Sequence, residues 1–462
     1  MRKPDRKGGR YAGRVVAPGL STSPLLTRGL VHVKMRILTA DHVLPISSAP
    51  IADGAVVIDG GRIVEVGPRD AVVPKYPEVE KEDFGAAAIL PGFVNCHSHL
   101  EITAMRGALD AVEHDFTAWL LKLNAIRAAL GENEIAEAAY LGAVEGARAG
   151  VTTFGDIGRF GKVGLGALKR AGLRGVLFQE TEFSADARTA DEDFEKLRDQ
   201  YLELREQGTE LVEVGLSPHS PYTVSGKLFE KIARFALDER VKVSVHAAES
   251  QDEEELLCRG AGAFTAVYEK FGVEWESPLC SPVKFLGRTG ILECRPLLAH
   301  CVTVNDEDIS ILAETGAAVA HCPKSNAKFG HGTAPLEKLL DAAVTVGLGS
   351  DSVASNNVCD MLEEGRFASL TARVRPGRER FISAGEVLKA ATHGGACALG
   401  LGDVIGTLES GKFADIAVIS LSGIHQQPVG DVEAALVFSS SGKDVVATIV
   451  AGDEVYRRKH DR

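Results

Sequence analysis

The residues whose types and spacing point to chemistry begin at His97 and His99, in the run "NCHSHLE" (Asn95–Glu101). Side chains two apart on a strand share a face, so both imidazoles aim the same way. Two imidazoles at that spacing suit a divalent transition metal. Alone, the pair is a weak signal and reads more readily as a chance or core pair; directly behind the apolar run "LPGFVN" (Leu90–Asn95) it carries much more weight. Three later segments add matching residues. "VKVSVHAAES" (Val241–Ser250) sets Val241, Val243 and Val245 on one strand face and Ser244 and His246 on the other, with Glu249 three residues further on. "RPLLAHC" ends with His300 ahead of a cysteine, and "VTVGLGSDS" carries Asp351. Each of these alone has a structural reading as a cap, a turn or a satisfied buried polar group. Asp351, ahead of "ASNN", reads as readily as a helix N-cap. The ordered set, HxH then HxxE then H then D, each at a strand end, is not explained by structural needs alone.

Such a set requires elements that bring distant strand ends together. Eight short apolar, β-rich runs occur at Ile89–Asn95, Val151–Ile157, Arg174–Glu180, Leu211–Leu216, Val241–His246, Pro296–His300, Ala317–Cys322 and Val344–Ser350. Helix-period segments such as Glu134–Arg148 and Gly226–Leu237 separate most of them. The fold class is therefore α/β, a (β/α)8 TIM barrel, whose strand C-termini share the face on which active sites are built. A doubly wound sheet is the rival, but no glycine fingerprint follows the first strand. The two chain ends differ from the middle. Gly54–Pro68 reads as a hairpin turning at Asp59-Gly60-Gly61, and Gly411–Leu421 and Asp444–Arg457 are β-rich, with a turn at Ala451-Gly452-Asp453. The expected division is a disordered extension over 1–34, a small β-sandwich built from 35–88 and 403–462, and the barrel over 89–402.

Composition excludes several classes. The chain has 462 residues, 45% of them hydrophobic, and a formal charge of −13. An acidic balance argues against nucleic acid or an anionic membrane as partner, and no apolar run approaches the roughly 20 residues that span a bilayer. The 8 cysteines form no CxxC pair, which fits reduced thiols and a cytoplasmic protein. Cys96, beside the histidine pair, reads as a small wall residue and not as a nucleophile. Residues 1–34 carry eight Lys/Arg against one acid, with no sustained apolar stretch behind the basic start, so a secretory signal is not expected.

The motifs "LPGFVNCHSHLE", "SPHSPYTVS", "VHAAES", "AHCPKSNAKFG", "GLGSDSVASN" and "GKFADIAVI" together resemble the amidohydrolase superfamily, in its cytosine deaminase-like branch. That branch includes deaminases of S-adenosylhomocysteine and methylthioadenosine, guanine and aminodeoxyfutalosine, and the triazine chlorohydrolases. The likeness runs from about Met35 to Arg457. It implies that His97, His99, His246 and Asp351 hold one Zn²⁺ or Fe²⁺, and that Glu249, His300 and Asp351 act on water and substrate. Glu249 would shuttle the water proton to a ring nitrogen, and His300 would orient the oxygen and stabilise charge. Binuclear members place a bridging lysine at the end of the fourth strand; "VEVGLSPHSPY" has none, which argues for a single metal.

For the substrate, the resemblance implies that His219 contacts it. Glu101 is a candidate for a ribose hydroxyl or a barrel-wall salt bridge, Trp119 for stacking or the core, and Arg159, like Arg106, for a carboxylate or a structural role. His331 is expected to be a loop residue, and the acidic run "QDEEE" (Gln251–Glu255) a helix N-terminus. The implied function is hydrolytic deamination of an aminated heterocycle, foremost the adenine of a 5′-substituted nucleoside; "HLE" with "GSDSVASN" leans toward the aminodeoxyfutalosine type. Removal of chloride or another leaving group from a triazine-like ring is the alternative, with guanine or cytosine deamination beside it. A non-catalytic barrel would be expected to have lost ligands, and these positions are filled. The partner is thus a small heterocycle. Similar proteins are often homodimers or larger, and nothing in the composition opposes a homo-oligomer.

Overall fold

The structure, a computed structural model, describes residues 35–459; the expected extension over 1–34 lies outside them. Five strands open the described chain: β1 (Arg36–Val43), β2 (Ile51–Asp59), β3 (Arg62–Pro68), β4 (Glu80–Asp83) and β5 (Ala87–Pro91). The barrel strands follow as β6 (Phe93–Ser98), β7 (Val151–Gly158), β8 (Arg174–Glu180), β9 (Val212–Ser217), β10 (Ser244–Ala247), β11 (Leu297–His300), β12 (Ala318–His321) and β13 (Val346–Leu348). The chain closes with β14 (Ile416–Ser420), β15 (Val445–Val450) and β16 (Asp453–Arg457).

β6 to β9 and β10 to β13 form two runs of parallel neighbours. Parallel bridges at Leu216–Val243 and Ser98–Asp351 join the runs at both seams, which makes a closed eight-stranded barrel. Inside it, Val94, Cys96, Ile157, Val176, Phe178, Leu297, Ala299, Ala318 and Ala320 fill the lower layers, with Leu399, Leu401 and Ile405 beneath them. Above these apolar layers, the C-terminal rim is where the barrel's metal-ligand-type side chains gather.

Seven of the eight sequence runs each overlap one barrel strand, although β10 begins only at Ser244 and β13 spans only Val346–Leu348, and the first run is divided. Ile89–Pro91 belongs to β5 and pairs with β14, while the barrel strand starts at Phe93. Gly92 alone separates them, and a Cβ there would lie 2.1 Å from Thr152 Cγ2, so only glycine fits that crossing. One apolar run thus serves two sheets.

The terminal strands of the described chain make one eight-stranded sheet, ordered β16-β15-β14-β5-β1-β2-β3 with β4 on β1. The β2–β3 turn falls at Gly60 and Gly61, both at positive φ as a tight hairpin demands. Leu38, Val56, Ile58, Ile89, Ile416, Val418 and Ile449 form a core of its own. A buried bidentate pair ties this sheet to the barrel: Arg174 Nε and Nη2 donate to Asp415 Oδ2 and Oδ1 at 2.7 and 3.1 Å, and Asp415 Oδ1 also accepts from Ala451 N. Removing one partner of a buried pair strands the other charge and costs about 3–5 kcal/mol. Arg174→Ala should therefore shift the urea unfolding midpoint down by that equivalent; an unchanged midpoint would show that the pair does not tie the layers.

Candidate metal centre and active site

The rim is assembled by the same local devices that close the barrel. Asn95 Nδ2 donates to Ser350 Oγ at 2.7 Å, its Oδ1 accepts from Ser350 N, and Asp351 N donates to His97 O at 3.0 Å. The pairing of β6 with β7 shifts register on either side of Asn95, the kind of irregularity that re-aims side chains. Gly349 lets the eighth strand end approach: a Cβ there would sit 2.7 Å from His97 Cβ. Ser352, not Asp351, caps the short helix Val353–Asn356, accepting from Ser355 N. The N-cap reading of Asp351 is thus excluded, and its carboxylate is left to face the histidines.

The four predicted ligand side chains come together. His99 Nε2 is 3.2 Å from His246 Nε2, and Asp351 Oδ1 lies 3.5 Å from His97 Nε2 and 3.4 Å from His99 Nε2. His99 Nδ1 donates to Ile157 O at 3.1 Å and His246 Nδ1 to His219 O at 3.0 Å. Each carbonyl fixes the ring tautomer and leaves a lone pair on Nε2. A second proton on His99 is opposed: burial, followed by the neighbouring His97, holds it down to about 3, and burial holds His97 at about 3 as well. Two lone pairs therefore face each other across 3.2 Å beside a carboxylate, and His97 Nε2 is buried without a partner. A shared cation satisfies that arrangement. Tetrahedral arms of about 2.0–2.1 Å place ligand atoms about 3.3–3.4 Å apart, and the observed separations match. The residues present fit a divalent metal.

Burial opposes ionisation of Asp351, yet the His97 contact and the neighbouring imidazoles hold its carboxyl well below the ordinary range. Its Oδ2 accepts from Ser325 Oγ and Ser355 Oγ, both at 2.7 Å, which leaves Oδ1 for the centre. Ala248, His300 and Asp351 all take left-handed backbone, with φ of 52°, 76° and 55°. Such non-glycine geometry costs about 1–3 kcal/mol each and gathers where function over-determines the chain.

Glu249 follows the Ala248 reversal and overhangs this group. Tyr222 Oη donates to its Oε2 at 3.0 Å, and its Oε1 is 3.6 Å from His300 Nε2. Burial lifts its carboxyl to about 7, with His246 opposing. His300 Nδ1 bonds Asn326 Oδ1 at 2.8 Å, so its Nε2, buried and without a partner, faces the centre as an acceptor. Cys96 is no nucleophile: burial pushes its thiol up, and Sγ is bonded to Leu348 O.

A family model described as the amidohydrolase family matches residues 88–455, and one described as an imidazolonepropionase-like composite domain matches 54–78. The chain belongs to the amidohydrolase family. A 5-methylthioadenosine/S-adenosylhomocysteine deaminase of Pelotomaculum thermopropionicum is 33% identical over 88% of this chain and 89% of its own length. Among solved structures, a zinc-bound adenosine deaminase of Xanthomonas campestris superposes with a TM-score of 0.79 at 29% identity, covering 90% of this chain and 92% of that one. The zinc complex of atrazine chlorohydrolase from Arthrobacter aurescens gives 0.76 at 25%, covering 90% and 94%.

In this amidohydrolase a cavity of about 580 Å³ opens above the metal-ligand group. His219, Trp119 and Arg159 line it; Glu101 does not. The strand ends at Ser98, and Leu100–Met105 turns as a 3-10 helix, so the alternation that put Glu101 on the His97 face stops short. Glu101 is instead buried, 3.2 Å from Arg127 Nη2 and accepting from Phe160 N, which is the salt-bridge reading. Trp119 packs on Phe116 and Phe329, which is the core reading, and also lines the cavity. Arg159 pairs with Glu180 at 3.2 Å and donates to Asn124 Oδ1. Arg106 pairs with Glu145, away from the cavity. His331, expected to be a loop residue, stacks on Phe329 with Nε2 4.0 Å from Glu249 Oε1.

Three residues at the site escaped the sequence reading. Glu180 ends β8, and its strand-end position is the same signal that marked His300. Tyr222 sits inside the quoted motif "SPHSPYTVS" without a marker of its own. The acidic run does begin a helix, Gln251–Arg259, capped by Ser250. Its Glu253, however, is buried and accepts from Glu249 N at 2.8 Å, so it anchors the loop that carries Glu249.

Proposed function

We propose that this amidohydrolase removes the exocyclic amine from the adenine of a nucleoside with an uncharged 5′ substituent. The observation that carries the reading is Glu249, a carboxyl tuned toward neutrality and held by Tyr222 over a cluster of metal-ligand type. His97, His99, His246 and Asp351 would hold one divalent ion, with zinc the metal of choice for three imidazoles and a carboxylate. That ion would supply the Lewis acidity that makes water a nucleophile near neutral pH. Glu249 takes the proton of the attacking water and hands it to a ring nitrogen, which makes the neighbouring carbon electrophilic. His300, with its Nε2 lone pair, orients the water O–H. The water oxygen bonds to that carbon, its remaining proton passes by way of Glu249 to the exocyclic amine, and the C–N bond breaks to release ammonia and leave a carbonyl on the ring.

The 5′ substituent is read from the mouth. Phe160, Phe183, Phe271 and Leu121 line it and are exposed. Both guanidinium groups on the wall, Arg127 and Arg159, are already paired with Glu101 and Glu180. A methylthio group suits such a mouth better than an amino-acid tail. Location follows as a proposal too: all 8 cysteines are unpaired, which favours a reducing cytoplasm. Among the described residues no helix is long and apolar enough to cross a membrane.

The test is ammonia release by the zinc-loaded protein from 5′-methylthioadenosine, S-adenosylhomocysteine, adenosine, guanine and cytosine, with chloride release from atrazine in parallel. Methylthioadenosine should give the highest kcat/KM. A higher value for free guanine or cytosine would overturn the reading. Chloride without ammonia would favour the chlorohydrolase alternative, which the likeness to the Arthrobacter enzyme keeps in view.

A further inference from the structure

Glu180 is a buried carboxylate whose two oxygens live differently. Oε2 is taken by Arg159 Nε at 3.2 Å, while Oε1 has no hydrogen-bond partner. The side chain lines the cavity and is only 3% exposed. Across from Oε1, at 3.9 Å, stands His219 Nε2. His219 Nδ1 lies 2.7 Å from Thr223 Oγ1 and 2.9 Å from Ser220 Oγ, two hydroxyls able to donate to it. We assign the ring proton to Nε2, the tautomer that the carboxylate opposite favours. The rim therefore presents one donor and one acceptor, aimed at each other over a gap too long for a direct hydrogen bond.

Glu180, His219 and His246 also have ligand atoms within 4.8 Å of one another. A second cation does not fit them. His246 Nδ1 is spent on His219 O, and its Nε2 already faces His99 across 3.2 Å. What spans the gap must accept from an N–H and donate to a carboxylate through one small atom. A hydroxyl oxygen does this, lying about 2.8–3.0 Å from both sides. Arg159 already pairs with the carboxylate, so a neutral donor suits the remaining oxygen better than an ammonium.

We propose that Glu180 and His219 form a hydroxyl clamp that selects the sugar of the substrate, with Glu180 as the specificity-determining residue. The inference rests on the nucleoside reading above. It gives a role to a buried carboxylate oxygen that has no hydrogen-bond partner among the protein's own groups. A site built to bind a hydroxyl rejects the analogue lacking it, because its own groups are then left buried and unpaired.

The experiment compares 5′-methylthioadenosine with its 2′-deoxy and 3′-deoxy forms, on the zinc-loaded wild-type protein and on Glu180→Gln. On wild type, one of the two deoxy forms should lose about 10- to 100-fold in kcat/KM, the range for a hydrogen bond to a charged group. On Glu180→Gln that same deletion should cost less than about 3-fold. This coupling between one substrate hydroxyl and one side chain is something a merely structural role would not produce. Equal kcat/KM for all three nucleosides on wild type overturns the clamp and leaves the deaminase reading standing. An undiminished hydroxyl penalty on Glu180→Gln removes Glu180 from it. Absence of ammonia from every adenine nucleoside overturns both readings together. The deoxy comparison on wild type needs no variant to fold, so the inference stays decidable if Glu180→Gln is unstable.

Discussion

Glu249→Gln is expected to keep its metal and lose at least about 100-fold in kcat, the low end for general acid–base catalysis. The amide matches the carboxylate in size and can still accept from Tyr222 Oη, now 3.0 Å from Oε2. What it cannot do is carry a proton from water to the ring. The same residue should set the acid side of the pH profile. Burial raises its carboxyl from 4.5 to about 7, and His246 opposes that shift. A divalent cation in the cluster would pull it back down, so the midpoint should fall between those two values. Because the ionised form accepts the water proton, kcat/KM should drop as pH falls through that midpoint, and Glu249→Gln should flatten this limb. Retained kcat in the variant, with metal content measured alongside, would end the proton-shuttle role. A steep acid limb that survives in the variant would assign it elsewhere, to protonation of the histidines that ligate metal.

Much of this was legible in the sequence, and the reason is periodicity. Parallel strands buried on both faces read as short apolar runs, and a polar residue at the end of such a run has few structural explanations. His97, His246, His300 and Asp351 were found in that way, and the structure brings them to one rim. The failures share a cause as well. Strand alternation carried past Ser98 would set Glu101 on the face of His97 and His99, but alternation holds only while the strand lasts, and a 3-10 turn takes over at Leu100. Ile89–Asn95 was read as one strand because hydrophobicity does not record which sheet a residue joins; Pro91-Gly92 was the cue. Pairings were beyond reach altogether. Nothing local to Arg127 says that it neutralises Glu101, nor does anything near Glu253 say that its carboxylate folds back onto Glu249 N. Those contacts depend on chain crossings that no spacing rule encodes.

His97→Ala should lose metal, and activity with it. His97 is fully buried, and its Nε2 has Asp351 Oδ1 at 3.5 Å but no hydrogen-bond partner, so no alternative duty explains the ring. Loss of an outer partner of a ligand typically costs about 10–100-fold in metal affinity. Loss of a ligand itself should exceed about 100-fold, enough for elemental analysis of the dialysed variant to find well under one metal per chain. Ser355→Ala, which removes one of the two hydroxyls on Asp351 Oδ2, should fall in the smaller range. The ordering of the two variants separates ligand loss from general damage to the rim. Chelation of the wild-type protein should act in the same direction. Without a cation the facing lone pairs of His99 and His246 and the Asp351 carboxylate stand uncompensated, so the metal-free protein should melt at a lower Tm and recover on adding zinc. Affinity should also fall as pH drops, because the imidazoles must be unprotonated to bind. Full metal occupancy in His97→Ala would remove it from the ligand set, and a Tm indifferent to chelation would mean that something other than a metal reconciles four converging side chains.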